Sequence, residues 1–134
     1  MRVRKSSVWL GLLLVTVMFT TTGSAQLPRL SELMQQKLEH SQALLAAVVL
    51  GDHVGVERYA NELMLISEAS TWSPLQTPEY LHYASDFRES TSALIEEANA
   101  RNLDGVSLAY MEMTLTCVQC HKHVRGARLA ESQP

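Results

Sequence analysis

The stretch DGVSLAYMEMTLTCVQCHKHVRG, residues 104–126, decides how the chain is read. On a wheel of about 100° per residue, Val106, Tyr110, Met113, Cys117, Cys120, His121 and Val124 gather on one side. Leu108, Met111 and Leu115 form a second apolar stripe opposite them. A segment of this length with a 3.6-residue period is a helix that buries one face. Its second stripe is consistent with further bundle contact or with a homodimer. Asp104 is expected to begin the helix and Gly126 to end it near Val124 or Arg125, with glycine as the usual left-handed stop.

The segments upstream read in the same period, punctuated by Gly51, Gly55, Pro74, Pro78 and Gly105. Leu30, Leu33, Met34, Leu38, Ser41, Leu44, Leu45 and Val48 share one side of a helix over residues 30–50. Asp52 is an N-cap for a second helix reaching about residue 70, with Val56, Tyr59, Ala60, Leu63 and Ile66 turned inward. Thr77-Pro78-Glu79 is a helix start, with threonine as cap and proline at the first helical position. The third helix then runs to about residue 102 on a stripe of Tyr80, Tyr83, Ala84, Phe87, Thr91, Leu94, Ile95 and Ala98. No period-two alternation is long enough for a strand, and there is no internal repeat or low-complexity segment. Four amphipathic helices joined by short loops predict an all-α fold, an antiparallel four-helix bundle.

The first 25 residues are of another kind. Arg2, Arg4 and Lys5 precede an almost wholly apolar run from Val8 to Thr20, and Gly23-Ser24-Ala25 places small residues where a signal peptidase cuts. The run of about 13 residues is short of the roughly 20 needed to span a bilayer. Residues 1–25 therefore read as a cleaved export signal and residues 26–134 as one domain, without a membrane span and destined for the periplasm. The whole chain of 134 residues carries 11 Lys and Arg against 14 Asp and Glu, a net charge of −3. Cleavage leaves eight basic residues against the same 14 acids, a charge of −6. That balance argues against nucleic acid, whose affinity rests on neutralised phosphates. It favours instead a redox partner with a basic docking face, drawn in by long-range steering.

Two cysteines exclude a multi-disulfide scaffold. Cys117-Val118-Gln119-Cys120-His121 has the C-x-x-C-H spacing of covalent c-type haem attachment. On a helix His121 lies one turn beyond Cys117, and Cys120 lies about 60° to the other side. Two thiols thus meet the two vinyl groups on one edge of the macrocycle, and the imidazole comes under the iron. Three other chemistries use such a cysteine pair. A disulfide between cysteines three apart on a helix is strained because the Cβ vectors diverge. A thioredoxin-like pair calls for a βαβ setting with its first thiol at a helix N-terminus. A zinc site calls for four ligands, which these residues supply only in a compressed set. One haem c, with His121 as the proximal iron ligand, is the expected cofactor.

A four-helix bundle with C-x-x-C-H on its last helix and a basic residue four positions after the histidine resembles the cytochrome c prime and cytochrome c-556 family. Cys117, Cys120, His121 and Arg125 carry the resemblance, and the helical layout extends it over about residues 30–128. It implies that a first-helix side chain faces the open side of the iron: methionine in the low-spin c-556 type, an apolar non-ligating residue in the gas-binding type. Counted back from the first turn, that position is Met34, which also sits mid-stripe on its helix. Met34 is thus the candidate distal ligand. Prime-type members tend to carry a basic residue one turn earlier, where this chain has Leu30.

Lys37, one turn after Met34, and Arg125, one turn past His121, are candidate contacts to haem propionates. His40, at the stripe's edge, His53, near a turn, and His82, near a helix start, are weaker candidates. So is His123, which points about 160° away from His121 on the wheel. Two functions follow. One is an electron carrier with His121 and Met34 on the iron; the other is a five-coordinate haem protein that binds nitric oxide or carbon monoxide. An enzyme is not expected, because no distal acid–base pair is evident among the first-helix core positions.

Overall fold

A computed structural model describes residues 26–69, 75 and 77–131. The segment read as an export signal lies outside the described residues. Four helices follow in order: α1 (Gln26–Leu50), α2 (His53–Ala69), α3 (Pro78–Asn99) and α4 (Leu103–Glu131). The described residues contain no strand and are all-helical apart from their turns. Each helix packs beside the next in an up-down-up-down bundle, and α1 and α4 approach one another least of the neighbouring pairs.

The helix ends follow local chemistry. Gly51, at φ 67°, stops α1 in the left-handed conformation. Its N–H bonds to the Val48 carbonyl at 3.1 Å and the Asp52 N–H to that of Ala47 at 2.9 Å, the paired bonds of a Schellman end. Asp52 then caps α2, its Oδ1 accepting from the Gly55 N–H at 3.0 Å. Thr77 caps α3 by accepting from the Tyr80 N–H at 3.2 Å, with Pro78 in the first turn.

The expected bounds shift in three places. α1 starts at Gln26, because Pro28 falls in the first turn, where its missing N–H has no intrahelical partner to lose. α3 stops at Asn99, and Asn102 caps α4 through the Gly105 N–H at 3.2 Å; Asp104 is already inside the helix. α4 does not end at Gly126 but continues to Glu131. Glycine costs a helix only about 1 kcal/mol, and the flanking Arg125, Ala127 and Arg128 are strong helix formers.

The core joins Leu44, Ala47 and Val48 of α1 with Val56, Ala60 and Leu63 of α2. Phe87, Leu94 and Ala98 of α3 and Val106, Ala109 and Met113 of α4 complete it. Small residues set the close approaches: a Cβ on Gly55 would lie 3.1 Å from that of Ala47. Buried Thr91 satisfies its hydroxyl by donating to the Phe87 carbonyl at 2.6 Å. Two residues assigned to the inward stripe of α1 face out instead, Leu38 at 52% and Leu45 at 45% exposure. Both lie toward α4, the side where α1 is least covered, and Ala47 on the α2 side is buried.

Candidate functional site

α1 and α4 are tied midway by the Tyr110 hydroxyl, which donates to the Ser41 carbonyl at 3.3 Å. Beyond that point, toward the α1 N-terminus and the α4 C-terminus, lies a cleft of about 750 Å³. It falls in the size range of clefts that hold small molecules and cofactors, about 300–1,000 Å³. Leu30, Ser31, Met34 and Lys37 form its α1 wall. Tyr80, Tyr83, Ala84 and Phe87 of α3 form its floor, with Leu75 at the edge. Thr116, Cys117, Cys120, His121, Val124, Arg125, Ala127 and Arg128 form the α4 wall.

The spacing of residues 117–121 on a straight helix brings both thiols and the imidazole to this one cleft. Cys117 and Cys120 are half-buried free thiols, and His121 is exposed at the rim. Met34 is half-buried on the facing wall. Lys37 reaches inward, its Nζ 4.3 Å from the centre of the Phe87 ring, a cation–π contact. Burial holds the Lys37 ammonium below its usual pKa of 10.5, against the pull of Cys117 and Cys120, while Arg88 adds repulsion. Burial likewise pushes the Cys117 thiol above 9.0, and Lys37 partly offsets that rise. Nη1 of Arg88 is buried without a hydrogen-bond partner.

The leading candidates from the sequence, Cys117, Cys120, His121, Met34, Lys37 and Arg125, all border the cleft. The four secondary histidines do not. His40 lies with its ring 6.3 Å from that of Tyr59, and Nδ1 of His82 is 3.4 Å from Asp86. His53 opens α2. His123 turns toward α3, its Nε2 3.3 Å from Thr77 Oγ1 and its ring 5.9 Å from that of Tyr83.

The α3 floor and Arg128 were not assigned to a site from sequence. The aromatic spacing of Tyr80, Tyr83 and Phe87 marks one helix face, but nothing within α3 says whether that face meets other helices or a cavity. An antiparallel arrangement would have pointed there, since it sets the start of α3 beside the end of α4. Arg128 was missed because the helix was expected to stop before it.

The residues present fit a haem. The charged side chains among the lining residues, Lys37, Arg125 and Arg128, are all cations, and no carboxylate of the described residues lines the cleft. The rest of the wall is mainly apolar and aromatic, with two thiols and, at the rim, an imidazole. Such a cavity suits a flat apolar body that carries carboxylates. Among the described residues no group of three or more His, Cys, Asp or Glu side chains is arranged to hold a bare metal ion. No helix of the described residues is long and apolar enough to cross a membrane. Comparison with protein-family models, with curated proteins and with solved structures finds no match to this chain.

Proposed function

We propose that this chain is an exported c-type cytochrome that holds one covalent haem in the cleft between α1, α3 and α4 and carries electrons. The observation that supports it most is the convergence of Cys117, Cys120 and His121 with Met34 on one cationic, largely apolar cleft. Cys117 and Cys120 would hold the haem as thioethers, the S–H of each adding across one vinyl double bond, which would need neither an oxidant nor a leaving group. His121 offers an imidazole nitrogen to the iron and Met34 a thioether sulfur. Lys37, Arg125 and Arg128 offer charge-assisted hydrogen bonds to two propionates. Tyr80, Tyr83 and Phe87 keep water from the floor, and His/Met ligation with a dry surround raises a reduction potential. When bound, the haem supplies the one-electron iron couple.

The charge of −6 on residues 26–134 favours a basic partner at long range. Lys122, Arg125 and Arg128 make the α4 rim locally basic. Eight of the 14 acids lie on α2 and α3, so a basic partner meets that surface in preference to the rim. A second reading, a five-coordinate protein binding nitric oxide or carbon monoxide, draws support from the loose approach of α1, which carries Met34, to α4.

Two measurements test these readings. Protein matured with haem retains it through acid–acetone extraction, and Cys117→Ser with Cys120→Ser releases it; haem that leaves the unaltered protein overturns the covalent reading. The oxidised spectrum then separates the functions. A weak far-red band that Met34→Ala abolishes supports the carrier, and a high-spin spectrum unchanged by Met34→Ala supports the gas-binding protein.

A further inference from the structure

Lys37 and Cys117 meet at the inner end of the cleft. Counted from the Tyr110–Ser41 tie at about 1.5 Å of rise per residue, Lys37 lies about 6 Å and Cys117 about 10 Å along the cleft, whereas Arg125 lies about 22 Å along. The Lys37 Nζ rests 4.3 Å from the centre of the Phe87 ring. Phe87 belongs to the core cluster against which Cys117 packs. The ammonium and the first thiol thus sit on the same apolar cluster, one from α1 and one from α4.

This corner is rich in positive charge and poor in anything to neutralise it. Arg88 adds a second cation near Lys37, and its Nη1 is buried without a hydrogen-bond partner. No carboxylate of the described residues lines the cleft. Of the groups on its wall that can turn anionic, Cys117 acts on Lys37 most strongly.

The thiolate, not the thiol, is the nucleophile in cysteine chemistry. Burial works against the thiolate at Cys117, and Lys37 is the group that most opposes burial there. In the addition, a lone pair of the Cys117 sulfur forms a bond to the inner carbon of a vinyl group. The π pair takes a proton from water at the outer carbon, and the proton that the thiol gave up replaces the one that water lost. The sum is one S–H added across one C=C, with no electron gained or lost and no group leaving. A neighbouring ammonium makes a thiolate roughly tenfold more abundant near neutral pH. The less basic sulfur is about threefold less nucleophilic, which leaves a net gain of about threefold.

We propose that Lys37 is a positioning residue for haem attachment: its ammonium, held on the Phe87 ring, faces the Cys117 thiolate and promotes thioether formation at that sulfur. This assignment rests on the covalent reading above and names the residue that keeps its inner cysteine reactive. The role ends once the thioether forms, because the sulfur then carries no charge, and Lys37 is free for a propionate.

Cys120→Ser leaves one thiol, so readouts in that background report Cys117 alone. In the haem-free form at neutral pH, Lys37→Met and Lys37→Gln should each slow alkylation of Cys117 by iodoacetamide about threefold or more. Lys37→Arg should keep the parent rate, since a guanidinium holds its charge and also stacks on an aromatic ring. Iron(II) protoporphyrin IX added under dithionite should give the same order in the rate of thioether formation, read as haem that survives acid–acetone extraction. Helical circular dichroism and the haem bound before attachment should match across the set. Neutral variants that react as fast as the parent in both assays, or an arginine variant as slow as the neutral ones, would overturn the proposal. If the unaltered chain forms no thioether under these conditions, the covalent reading falls and this assignment with it.

Discussion

The two ends of the bundle are built from the same four helices and differ in what lies between them. At the end holding both short turns, Ala47, Ala60, Ala98 and Ala109 bring the helices close, and Leu44, Leu94 and Val106 are fully buried. At the other end the floor is aromatic, with Tyr80, Tyr83 and Phe87, while α4 offers the short side chains of Thr116, Cys117 and Cys120. Bulk on one wall and brevity on the facing one leave a cleft where matched small residues leave none. Stability thus concentrates at the turn end, and the open end is free to carry chemistry.

Truncation should expose that difference most strongly. Leu44→Ala should cost about 2–5 kcal/mol, as for fully buried leucines, read from urea midpoints. Val124→Ala, in the cleft wall, should cost about 1 kcal/mol or less in haem-free protein, because it removes half-buried methyls. Equal losses at the two positions would break the comparison.

The helix caps sharpen it next. Asn102→Ala should cost about 1 kcal/mol, the usual loss of a cap at the turn end. Thr77→Ala should cost about 1–2 kcal/mol, because its hydroxyl serves both the Tyr80 N–H and His123 and so ties α3 to α4 beside the cleft. A smaller loss for Thr77 than for Asn102 would show that this tie contributes nothing.

The two turns differ at their left-handed residue. Arg101 holds φ 56° where the first turn has Gly51 at φ 67°, and its N–H and that of Asn102 repeat the same paired bonds, to Ala98 and Glu97. A side chain in the left-handed region costs about 1–2 kcal/mol, partly offset by the greater chain entropy of glycine when unfolded. Arg101→Gly should therefore raise stability by about 0.5–1 kcal/mol, seen as a higher urea midpoint.

Alkaline pH addresses only the open end. Lys37 titrates below 10.5 in the folded state, so the unfolded chain binds more protons and stability rises with pH through this window, levelling off above 10.5 once both forms are neutral. Cys117 titrates above 9.0 when folded, so the unfolded chain loses its proton first and stability falls as pH rises past 9.0. Burial raises the Cys120 thiol in the same way, so in haem-free protein Lys37→Met should remove the gain, and Cys117→Ser together with Cys120→Ser the loss, read as urea midpoints across this window. Thioether formation should have the same effect as changing both cysteines, since no thiol then remains to titrate. An alkaline limb identical in all these forms would disconnect both groups from the cleft.

Individual residues show how far sequence reading reached. Asp52 and Thr77 were legible as caps because a cap bonds to its own next turn, within three residues. Gly126 misled, since a glycine stops a helix only where the chain turns, and here nothing interrupts the strong helix formers around it. Leu38 and Leu45 misled for another reason: the period of α1 locates an apolar side but not which part of it a neighbour covers. The floor of Tyr80, Tyr83 and Phe87 was read as ordinary core, because its relation to residues 117–121 spans two helices and about 35 residues of chain.

The sequence by itself determined the four helices, the caps of α2 and α3 and the common face of Cys117, Cys120 and His121. These relations are internal to single segments and follow from backbone hydrogen bonding and a fixed rotation per residue. Only the tertiary structure decided that Met34, Lys37 and the α3 aromatics meet that face across a cleft, and that Leu38 and Leu45 remain uncovered. Those outcomes depend on the spacing and splay of packed helices, which the sizes of facing side chains set jointly and no single segment carries.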